Sequence, residues 1–380
     1  MLLVLSKGKK LKVLFPFIRS DFGGSYVSAG LLARELLSMD VEVEIVFPGR
    51  GKGYEYFCTL GLYPKILLDY PTQDLSIWKH GPNFRSLIRV YRAIHLLIMG
   101  KYDLIHCNDD RTLLVWGLAA KLFKIKVVWH LRNSVMTKFD PLRLLISNSI
   151  IAVSEFTFKR IKHNNKGVVI YNPVEFLSRP ESQSITRTSL GIPEDSIVIC
   201  HIGRDVEKKK LEWSVNSTID LELEGGPQIY LLCIGQISFD RERAVTLNAL
   251  SRGLKETQII FIQHTEYIIE YMQMSDVISH PSDGRYFGLD RVIQEALLLE
   301  KPISLNDSGA NLELVQDSDI VYYTENIEQQ NYSKCLRAAV EFVVNSPKVN
   351  SIYKSGSSDR FSVVEHAKSV LDTYVSINKR

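Results

Sequence analysis

Two stretches of the sequence carry side chains that suit phosphate chemistry. In the first, an apolar run from Val198 to Ile202 ends at Gly203-Arg204 and is followed by the lysines 208–210. This pattern predicts a buried parallel strand that brings fixed cations to its carboxyl end, the edge at which open α/β sheets bind ligands. There Arg204 and Lys209 could hold a diphosphate. The competing interpretation is a solvent-exposed run of charge at the start of a helix.

The second stretch places a turn, Gly288-Leu289-Asp290, ahead of a helix that contains Glu295. A single carboxylate can accept hydrogen bonds from both hydroxyls of a ribose, and a helix amino terminus adds partial positive charge. Alternatively, Glu295 shares a helix face with residues 291, 294 and 298 and faces only water. Together, the cations and the diol acceptor predict a nucleotide site.

In the amino-terminal half, the loop from Arg19 to Ser25 follows an apolar run and opens a helix. Gly23 and Gly24 would let its backbone approach a phosphate or a sugar, although a tight turn explains them equally well. The loop lacks both Gly-x-Gly-x-x-Gly and the Lys-Ser/Thr of a P-loop, so neither a dehydrogenase nor a kinase is indicated. His130 ends the run Val-Val-Trp-His, where it could bind a sugar hydroxyl or move a proton. The alternative is a loop histidine whose partners are backbone groups.

Other polar residues suit structural roles better. We expect His106 to pack at the end of a strand, and Asp109 and Asp110 to cap the helix that follows. Adjacent residues of a helix point in different directions, so this pair does not form a metal site. We predict no bound metal and no cofactor.

The chain alternates short apolar runs with helical patterns, which is typical of parallel sheets with crossover helices. Two such sheets are predicted, with a linker within residues 173–193. The strands are predicted at residues 12–17, 42–47, 104–107, 127–130, 149–153 and 168–171, and then at 197–202, 228–234, 258–262, 277–279, 302–305 and 320–323. A final helix, about 361–377, has no strand after it.

Composition and charge restrict the possible classes of protein. With 380 residues, 45% hydrophobic, the chain is long enough for two domains. Its five cysteines are odd in number and lie mostly in apolar runs, which indicates reduced core residues and a cytoplasmic protein. No apolar segment reaches the roughly 20 residues that span a bilayer, and the leading Met-Leu-Leu-Val-Leu is too short for a signal peptide.

The net charge of +3 is unevenly distributed. Residues 1–190 hold 27 Lys and Arg against 15 Asp and Glu, and the rest hold 19 against 28. A basic amino-terminal half suits an anionic partner such as a phospholipid surface or a phosphorylated acceptor, and we predict no nucleic-acid partner. Charge scattered without functional consequence is the alternative.

These motifs, in this order, resemble the GT-B glycosyltransferases of family 4, retaining enzymes that use nucleotide-activated sugars. The resemblance covers nearly the whole chain. It is carried by the following segments: Phe22-Gly-Gly-Ser, Tyr102-Asp-Leu-Ile-His, Ile151-Ala-Val-Ser-Glu, Ile170-Tyr-Asn-Pro-Val, Ile202-Gly-Arg with Lys209, Met274-Ser-Asp-Val-Ile-Ser-His-Pro-Ser and Arg291-Val-Ile-Gln-Glu-Ala-Leu.

The resemblance implies an α/β fold of GT-B type, with two Rossmann-like domains facing a central cleft and a carboxyl-terminal helix that crosses back. The expected boundaries are 1–175 for an acceptor-binding domain, 176–192 for a linker, 193–357 for a nucleotide-sugar-binding domain and 358–380 for the returning helix. By the same resemblance, Arg204 and Lys209 would hold the diphosphate, His130 the sugar and Glu295 the ribose. The remaining donor-binding residues would be Gly23, Gly24, Gly203, Asp283, Gly288, Leu289 and Asp290.

One position departs from the family pattern: the first glutamate of its Glu-x7-Glu pair is Phe287 here. Asp283 and Asp290 are the two candidates to replace that carboxylate. We therefore expect a metal-independent, retaining hexosyltransferase of polysaccharide or glycolipid assembly, and keep two alternatives open. These are a non-hydrolysing sugar-nucleotide epimerase and an inactive sugar-nucleotide-binding protein.

The acceptor, a glycan or a lipid-linked sugar, should lie against the basic half. Within residues 84–101, one helical face carries Phe84, Leu87, Ile88, Tyr91 and Ile94, and another carries Arg85, Arg89 and Arg92. This pattern favours peripheral contact with the inner face of a membrane, although packing against a sheet explains the apolar face too.

Overall fold

The structure is a computed structural model. It describes residues 10–378 except 21, 68–83, 163, 177–184, 226, 256–257, 264, 266, 285–287, 307–308, 316–317 and 346–358, and it gives only the backbone of 84–87, 89 and 90. The chain forms two compact units: Met1–Glu175 with Asp359–Arg380, and Phe176–Ser358. Phe287 and residues 177–184 of the expected linker, 176–192, lie outside the described residues.

The first unit contains a seven-stranded parallel sheet in the order β3-β2-β1-β4-β5-β6-β7. Its strands are β1 Lys12–Pro16, β2 Glu42–Phe47, β3 Lys65–Ile66, β4 Leu104–Cys107, β5 Lys126–Leu131, β6 Ser149–Ala152 and β7 Gly167–Val169. Six of these were predicted from apolar runs. β3 was missed because two residues are too few to produce a pattern.

Helices cover both faces of this sheet. They are α1 Gly24–Ser38, α2 Lys52–Thr59, α3 Phe84–Gly100, α4 over residues 110–122 with a π-helical turn at Leu113–Gly117, α5 Asp140–Ile146, α6 Glu155–Lys159 and the last helix of the chain, Val363–Asn378. On one face, Leu32 of α1 and Phe57 of α2 pack into one core. On the other, Leu97, Trp116 and Ile146 bring α3, α4 and α5 into a second core.

The last helix belongs to the first unit, as the family resemblance implied. Its buried residues Ala367, Val370, Leu371 and Tyr374 recur at helical spacing and join the core that contains α1. Upstream of the helix, the amide of Val174 donates to the carbonyl of Phe361. The two ends of the first unit are therefore joined by both packing and hydrogen bonding.

The second unit contains a six-stranded parallel sheet in the order β10-β9-β8-β11-β12-β13. Its strands are β8 Ile197–Ile202, β9 Ile229–Ile234, β10 Ile259–Ile262, β11 Val277–His280, β12 Ile303–Asn306 and β13 Val321–Thr324. All six were predicted, and the two-sheet α/β architecture is confirmed. The order in which strands are added to the sheet reverses between the neighbouring strands β8 and β11. Open α/β sheets bind ligands at such a reversal.

The helices of this unit are α7 Leu211–Leu223, α8 Phe239–Ser251, α9 Ile268–Met274, α10 Arg291–Leu298, α11 Leu312–Val315 and α12 Gln329–Asn345, so the helix at the end of the chain is α13. All five cysteines are free, and Cys107, Cys200 and Cys233 are buried. None of the helices in the described residues is long and apolar enough to cross a membrane.

Candidate functional site

The carboxyl ends of β8 and β9 are brought together by two glycines. The amide of Gly203 donates to the carbonyl of Ile234, and a Cβ at Gly235, whose φ is 155°, would lie 1.8 Å from the carbonyl oxygen of Gly203. A side chain at position 235 would therefore displace the Gly203-Arg204 turn. A Cβ at Gly203 would instead make ordinary contact with the Lys209 side chain, 3.5 Å away.

Lys209 lies in a charge cluster at this edge of the sheet. Its Nζ donates to Oδ1 of Asp290 over 2.8 Å, while Nε2 of His280, at the end of β11, is 3.0 Å from Oδ2. Asn311 adds an Nδ2 donor to Oδ2 at 3.2 Å and accepts from the Asp290 amide. Burial alone would raise the pKa of Asp290, but Lys209 and His280 hold it well below its ordinary range. Asp290 is therefore a carboxylate engaged with cationic and polar partners.

Arg204 and Lys209, the two predicted diphosphate ligands, have different environments. The Lys209 side chain is only 13% exposed, which contradicts a fully solvated charge run at this residue. Arg204 is exposed, as is Lys208, and in the described part of the chain Arg204 forms no ion pair. The structure thus provides one ammonium anchored by an ion pair and one exposed guanidinium.

The side chain of Glu295 forms an ion pair with Arg291 and is mostly shielded from solvent. Its side chain is 10% exposed, and Oε1 accepts from Nε of Arg291 over 2.6 Å, one helical turn away. Burial raises the pKa of Glu295, while Arg291 opposes that shift. This ion pair fixes the orientation of a mostly buried carboxylate in α10.

The other predicted donor residues lie around this cluster. Asp283 is buried and its amide donates to the carbonyl of Lys208, while Gly288 and Leu289, both buried, lead into α10. In the regions that the structure describes, no three His, Cys, Asp or Glu side chains are grouped as metal ligands are.

In the first unit, Gly23 precedes α1 in extended backbone, and the helix has no side-chain cap. A Cβ at Gly23 would meet nothing within 4 Å. The first turn of α1 therefore keeps uncapped amides beside open space, which is what the predicted approach of Gly23 and Gly24 to a ligand requires.

His130 is fully buried in β5, and its hydrogen-bonding partners are side chains. Its Nδ1 lies 3.0 Å from Nε2 of His106 and 3.3 Å from Nη2 of Arg132. A guanidinium can only donate, so Nδ1 of His130 accepts and its proton is on Nε2. His106 then donates from Nε2 and accepts from the Tyr374 hydroxyl, 2.6 Å from its Nδ1. This directed chain makes Nε2–H of His130 a donor that has no partner within the part of the chain that the structure describes.

Burial and the Arg132 charge keep the pKa of both His106 and His130 well below the ordinary value. Both imidazoles are therefore neutral near pH 7, and His130 can donate a hydrogen bond but cannot act as a resident acid. The packed role predicted for His106 is confirmed.

Sequence reasoning missed Arg132 and its partners. Arg132 follows β5, and it donates to Oδ1 of Asn108, which follows β4, and to Oδ1 of Asn172, which follows β7. Asn108 in turn donates to the carbonyl of Ser25 in α1. A usable signal was present, because each of these residues directly follows an apolar run.

A second buried network supports the loop after β5. Asp140 accepts from Arg143 and Arg160, and Arg160 also donates to Oδ1 of Asn133. Asp110 pairs with Arg160 at 2.8 Å and accepts from the indole of Trp129. Asp109 caps α4, as predicted, through the amides of Arg111 and Thr112, whereas Asp110 serves this network instead.

Two family profiles match the chain: "Glycosyltransferase Family 4" over residues 22–176 and "Glycosyl transferases group 1" over residues 182–356. Among curated proteins, the chain is 24% identical over 235 residues to the UDP-N-acetylglucosamine–N-acetylmuramyl-(pentapeptide) pyrophosphoryl-undecaprenol N-acetylglucosamine transferase of Caldicellulosiruptor saccharolyticus. That match covers 61% of this chain and 59% of the relative.

Solved structures share the fold at low sequence identity. Anabaena Alr3699/HepE in complex with UDP superposes with a TM-score of 0.77 at 20% identity, over 96% of this chain and all of that one. A glycosyltransferase from Rickettsia africae gives 0.75 at 17% identity, over 98% and 99% of the two chains. A putative UDP-N-acetylglucosamine 2-epimerase from Listeria monocytogenes gives 0.61 at 13%, over 96% and 95%. Because the two profiles together account for most of its 380 residues, the chain belongs to the group 1 glycosyltransferases, with the GT-B fold.

Proposed function

We propose that the protein transfers a hexose from a uridine diphosphate sugar to an acceptor hydroxyl, with retention at the anomeric carbon. The observation that carries the proposal is the anchored Lys209 at the β8/β11 reversal, with Glu295 oriented on the adjacent α10. The nucleotide is chosen because HepE, which has the same fold, was solved with UDP. The other proposed donor-binding residues are Gly23, Gly24, Gly203, Asp283, Gly288, Leu289 and Asp290.

In this proposal the reaction needs no cofactor and no metal. Departure of the diphosphate develops negative charge on its oxygens, and Lys209 and the exposed guanidinium of Arg204 stabilise it. The Asp290 carboxylate pairs with the Lys209 ammonium and limits its motion, so the ammonium is in position before the donor arrives. His130 contributes a neutral Nε2–H donor to a sugar hydroxyl.

The acceptor is proposed to be lipid-linked and reached from the inner face of a membrane. Three neighbouring helices on one face of the first sheet expose large apolar side chains: Tyr91, Ile94, Ile98 and Met99 of α3, Val115, Leu118 and Leu122 of α4, and Leu142 and Leu145 of α5. The predicted residues 84–87 have no described side chains, but Tyr91 and Ile94 are exposed as the membrane interpretation requires.

Charge on the same face favours an anionic surface. Residues 111–139 contain no Asp or Glu. Lys121 precedes Leu122 in α4, and Nζ of Lys166 donates to the carbonyl of Leu144 in α5. Burial, then Lys166 and Lys126, lowers the pKa of Lys121, so these ammonium groups are close enough to repel one another. Basic and apolar side chains on one face are the combination that binds anionic lipid.

Radiolabelled UDP-glucose and UDP-N-acetylglucosamine, incubated with the protein and a cell-envelope extract, test the function. Transfer of label into lipid or glycan supports the proposal if NMR shows that the product has the anomeric configuration of the donor. Isomerised nucleotide sugar in the absence of acceptor would identify an epimerase. Donor binding without transfer or isomerisation would identify a binding protein, and Phe287 would then explain the lost chemistry.

Vesicle co-sedimentation tests the membrane contact separately. We expect binding to vesicles with 30% anionic lipid, a composition chosen for its negative surface potential of roughly −30 mV, and weaker binding by a Leu118→Ser/Leu122→Ser variant. A Leu223→Ser variant, which alters an exposed leucine of the second unit, is the matched control. Equal binding by both variants would exclude this face.

A further inference from the structure

Arg132, which is partly exposed, differs from the buried Arg143 and Arg160 of the first unit in its electrostatic partners. Arg143 and Arg160 both pair with the carboxylate of Asp140 at 2.6 Å. Within the described ranges of the chain, Arg132 forms no ion pair, and its partners are the neutral groups of Asn108, Asn172 and His130. The fold therefore supplies carboxylates to its structural guanidinium groups but not to this one.

The donors of Arg132 are not exhausted by these contacts. A guanidinium has five N–H groups. Nε donates to Asn108, and Nη2 donates to Asn108 and His130. Nη1 has two N–H groups, and among the described residues its acceptor is Asn172 alone. Arg132 is partly exposed at the carboxyl end of β5, so a ligand can reach it.

The surroundings do not neutralise the charge either. Burial lowers the pKa of Arg132 to about 9 and outweighs the carboxylate of Asp109, which raises it. The Asp109 carboxylate is itself engaged in capping α4. Burial, and to a smaller extent the charge of Arg132, lowers the pKa values of His106, His130 and His366. All three imidazoles are therefore neutral, and none of them balances the charge of Arg132. Among the described residues, the hydrogen-bonding partners of this cation are neutral groups, an arrangement that is costly unless an anion binds there.

We propose that Arg132 binds an oxyanion, a phosphate or a carboxylate, that is carried by the acceptor substrate. The assignment of this ligand to the acceptor rests on the proposed function, in which Lys209 and Arg204 of the second unit hold the donor diphosphate. A second feature of the first unit agrees with it. Asn108 connects Arg132 to Ser25, next to the open space at Gly23, so a ligand group could occupy that space within reach of the guanidinium.

The test uses histidine-labelled full-length protein, with inorganic phosphate and acetate as separate probes and the imidazole resonances of His130 and His366 as the readout. Both histidines belong to the first unit and lie within the influence of Arg132. Phosphate or acetate should shift their signals in the wild type. An anion beside Arg132 should also raise the pKa of His366 above its value of about 4.

Arg132→Gln should weaken the binding of that anion at least tenfold, while Arg132→Lys should retain part of it. Lys209→Met, at the proposed donor site, should leave these shifts unchanged. A purely structural Arg132 predicts that Arg132→Gln lowers stability but titrates like the wild type, and that result would overturn the proposal. Absence of any shift in the wild type would do the same without requiring a variant that folds.

UDP binding, measured on the same three variants, separates this inference from the proposed function. UDP should bind Arg132→Gln as it binds the wild type, and Lys209→Met more weakly. If UDP binds no variant while phosphate still depends on Arg132, the donor assignment fails and the oxyanion site stands. If UDP binding is lost with Arg132→Gln alone, the oxyanion belongs to the donor, and the acceptor assignment is wrong.

Discussion

Replacement of Lys209 by methionine should weaken UDP binding and change the titration of a neighbouring histidine. The substitution keeps an unbranched apolar stem and removes the ammonium that lies 2.8 Å from Asp290. A lost charge-assisted hydrogen bond to a phosphate costs about 1.5–3 kcal/mol. At about 1.4 kcal/mol per factor of ten, the dissociation constant should rise roughly 10- to 150-fold.

The same substitution should raise the pKa of His280. Burial, and then the charge of Lys209, lower that pKa, while Asp290 opposes them. Without the ammonium, only burial remains against the carboxylate, so the imidazole should gain its proton at a higher pH. Calorimetry with UDP gives the affinity, and NMR titration gives the histidine pKa.

Lys208→Met is the matched control, because it removes one positive charge from the exposed neighbouring residue. Solvent screens that charge, so its loss should change the affinity by no more than about threefold. If Lys208→Met weakens UDP binding as much as Lys209→Met does, a general field rather than an anchored ligand explains the binding. Wild-type affinity in Lys209→Met would refute the diphosphate assignment.

Three further outcomes are expected. Glu295→Ala should weaken UDP binding by about 1–2 kcal/mol but leave pyrophosphate binding unchanged in calorimetry, because pyrophosphate lacks the ribose that this carboxylate would bind; equal losses would remove the ribose assignment. Gly235→Ala should lower the free energy of unfolding, measured by denaturant titration, by about 1–3 kcal/mol, because its Cβ would lie 1.8 Å from the Gly203 carbonyl oxygen. Gly23→Ala, which has open space around it, should leave that free energy unchanged. Burial raises the pKa of Asp140, but hydrogen bonds from Arg160, Thr137 and Arg143 lower it to about 2, against an ordinary 3.8. This carboxylate therefore contributes about 2 kcal/mol of stability above pH 4, which is lost as the pH falls towards 2. The free energy of unfolding, measured between pH 2 and 5, should depend less steeply on pH in Asp140→Asn than in the wild type, and an unchanged slope would contradict the pairing.

Several elements of the fold could be predicted because their signals are local. An apolar run bounded by polar residues, such as Val198–Ile202, identifies a buried parallel strand without knowledge of its neighbours. The helix that contains Ala367 and Tyr374 was predicted from the pattern around Phe361, and its return to the first unit followed from the family resemblance. By contrast, β3 has two residues and forms only because β2 provides partners for Lys65 and Ile66.

The charge cluster at Lys209 shows where prediction from the sequence stopped. Its position after β8 indicated a cation at the sheet edge, but the adjacent lysines are equivalent in sequence. Only the packing of α10 beside β11 brings Asp290 and His280 to Lys209 and leaves Lys208 exposed. The Phe287 departure was visible in the sequence, and nothing local indicated that Asp290 would be engaged in an ion pair.

The amino-acid sequence by itself determined the two parallel sheets, their order along the chain and the presence of cations, glycines and a carboxylate at strand ends, because these depend on hydrophobic period and on neighbouring residues. The tertiary structure alone decided which charges are neutralised. Arg160 is 20 residues from its partner Asp140, and His106 is 268 residues from Tyr374. Charge pairing and proton position depend on distances of about 3 Å between side chains, and such contacts arise only when remote segments pack together.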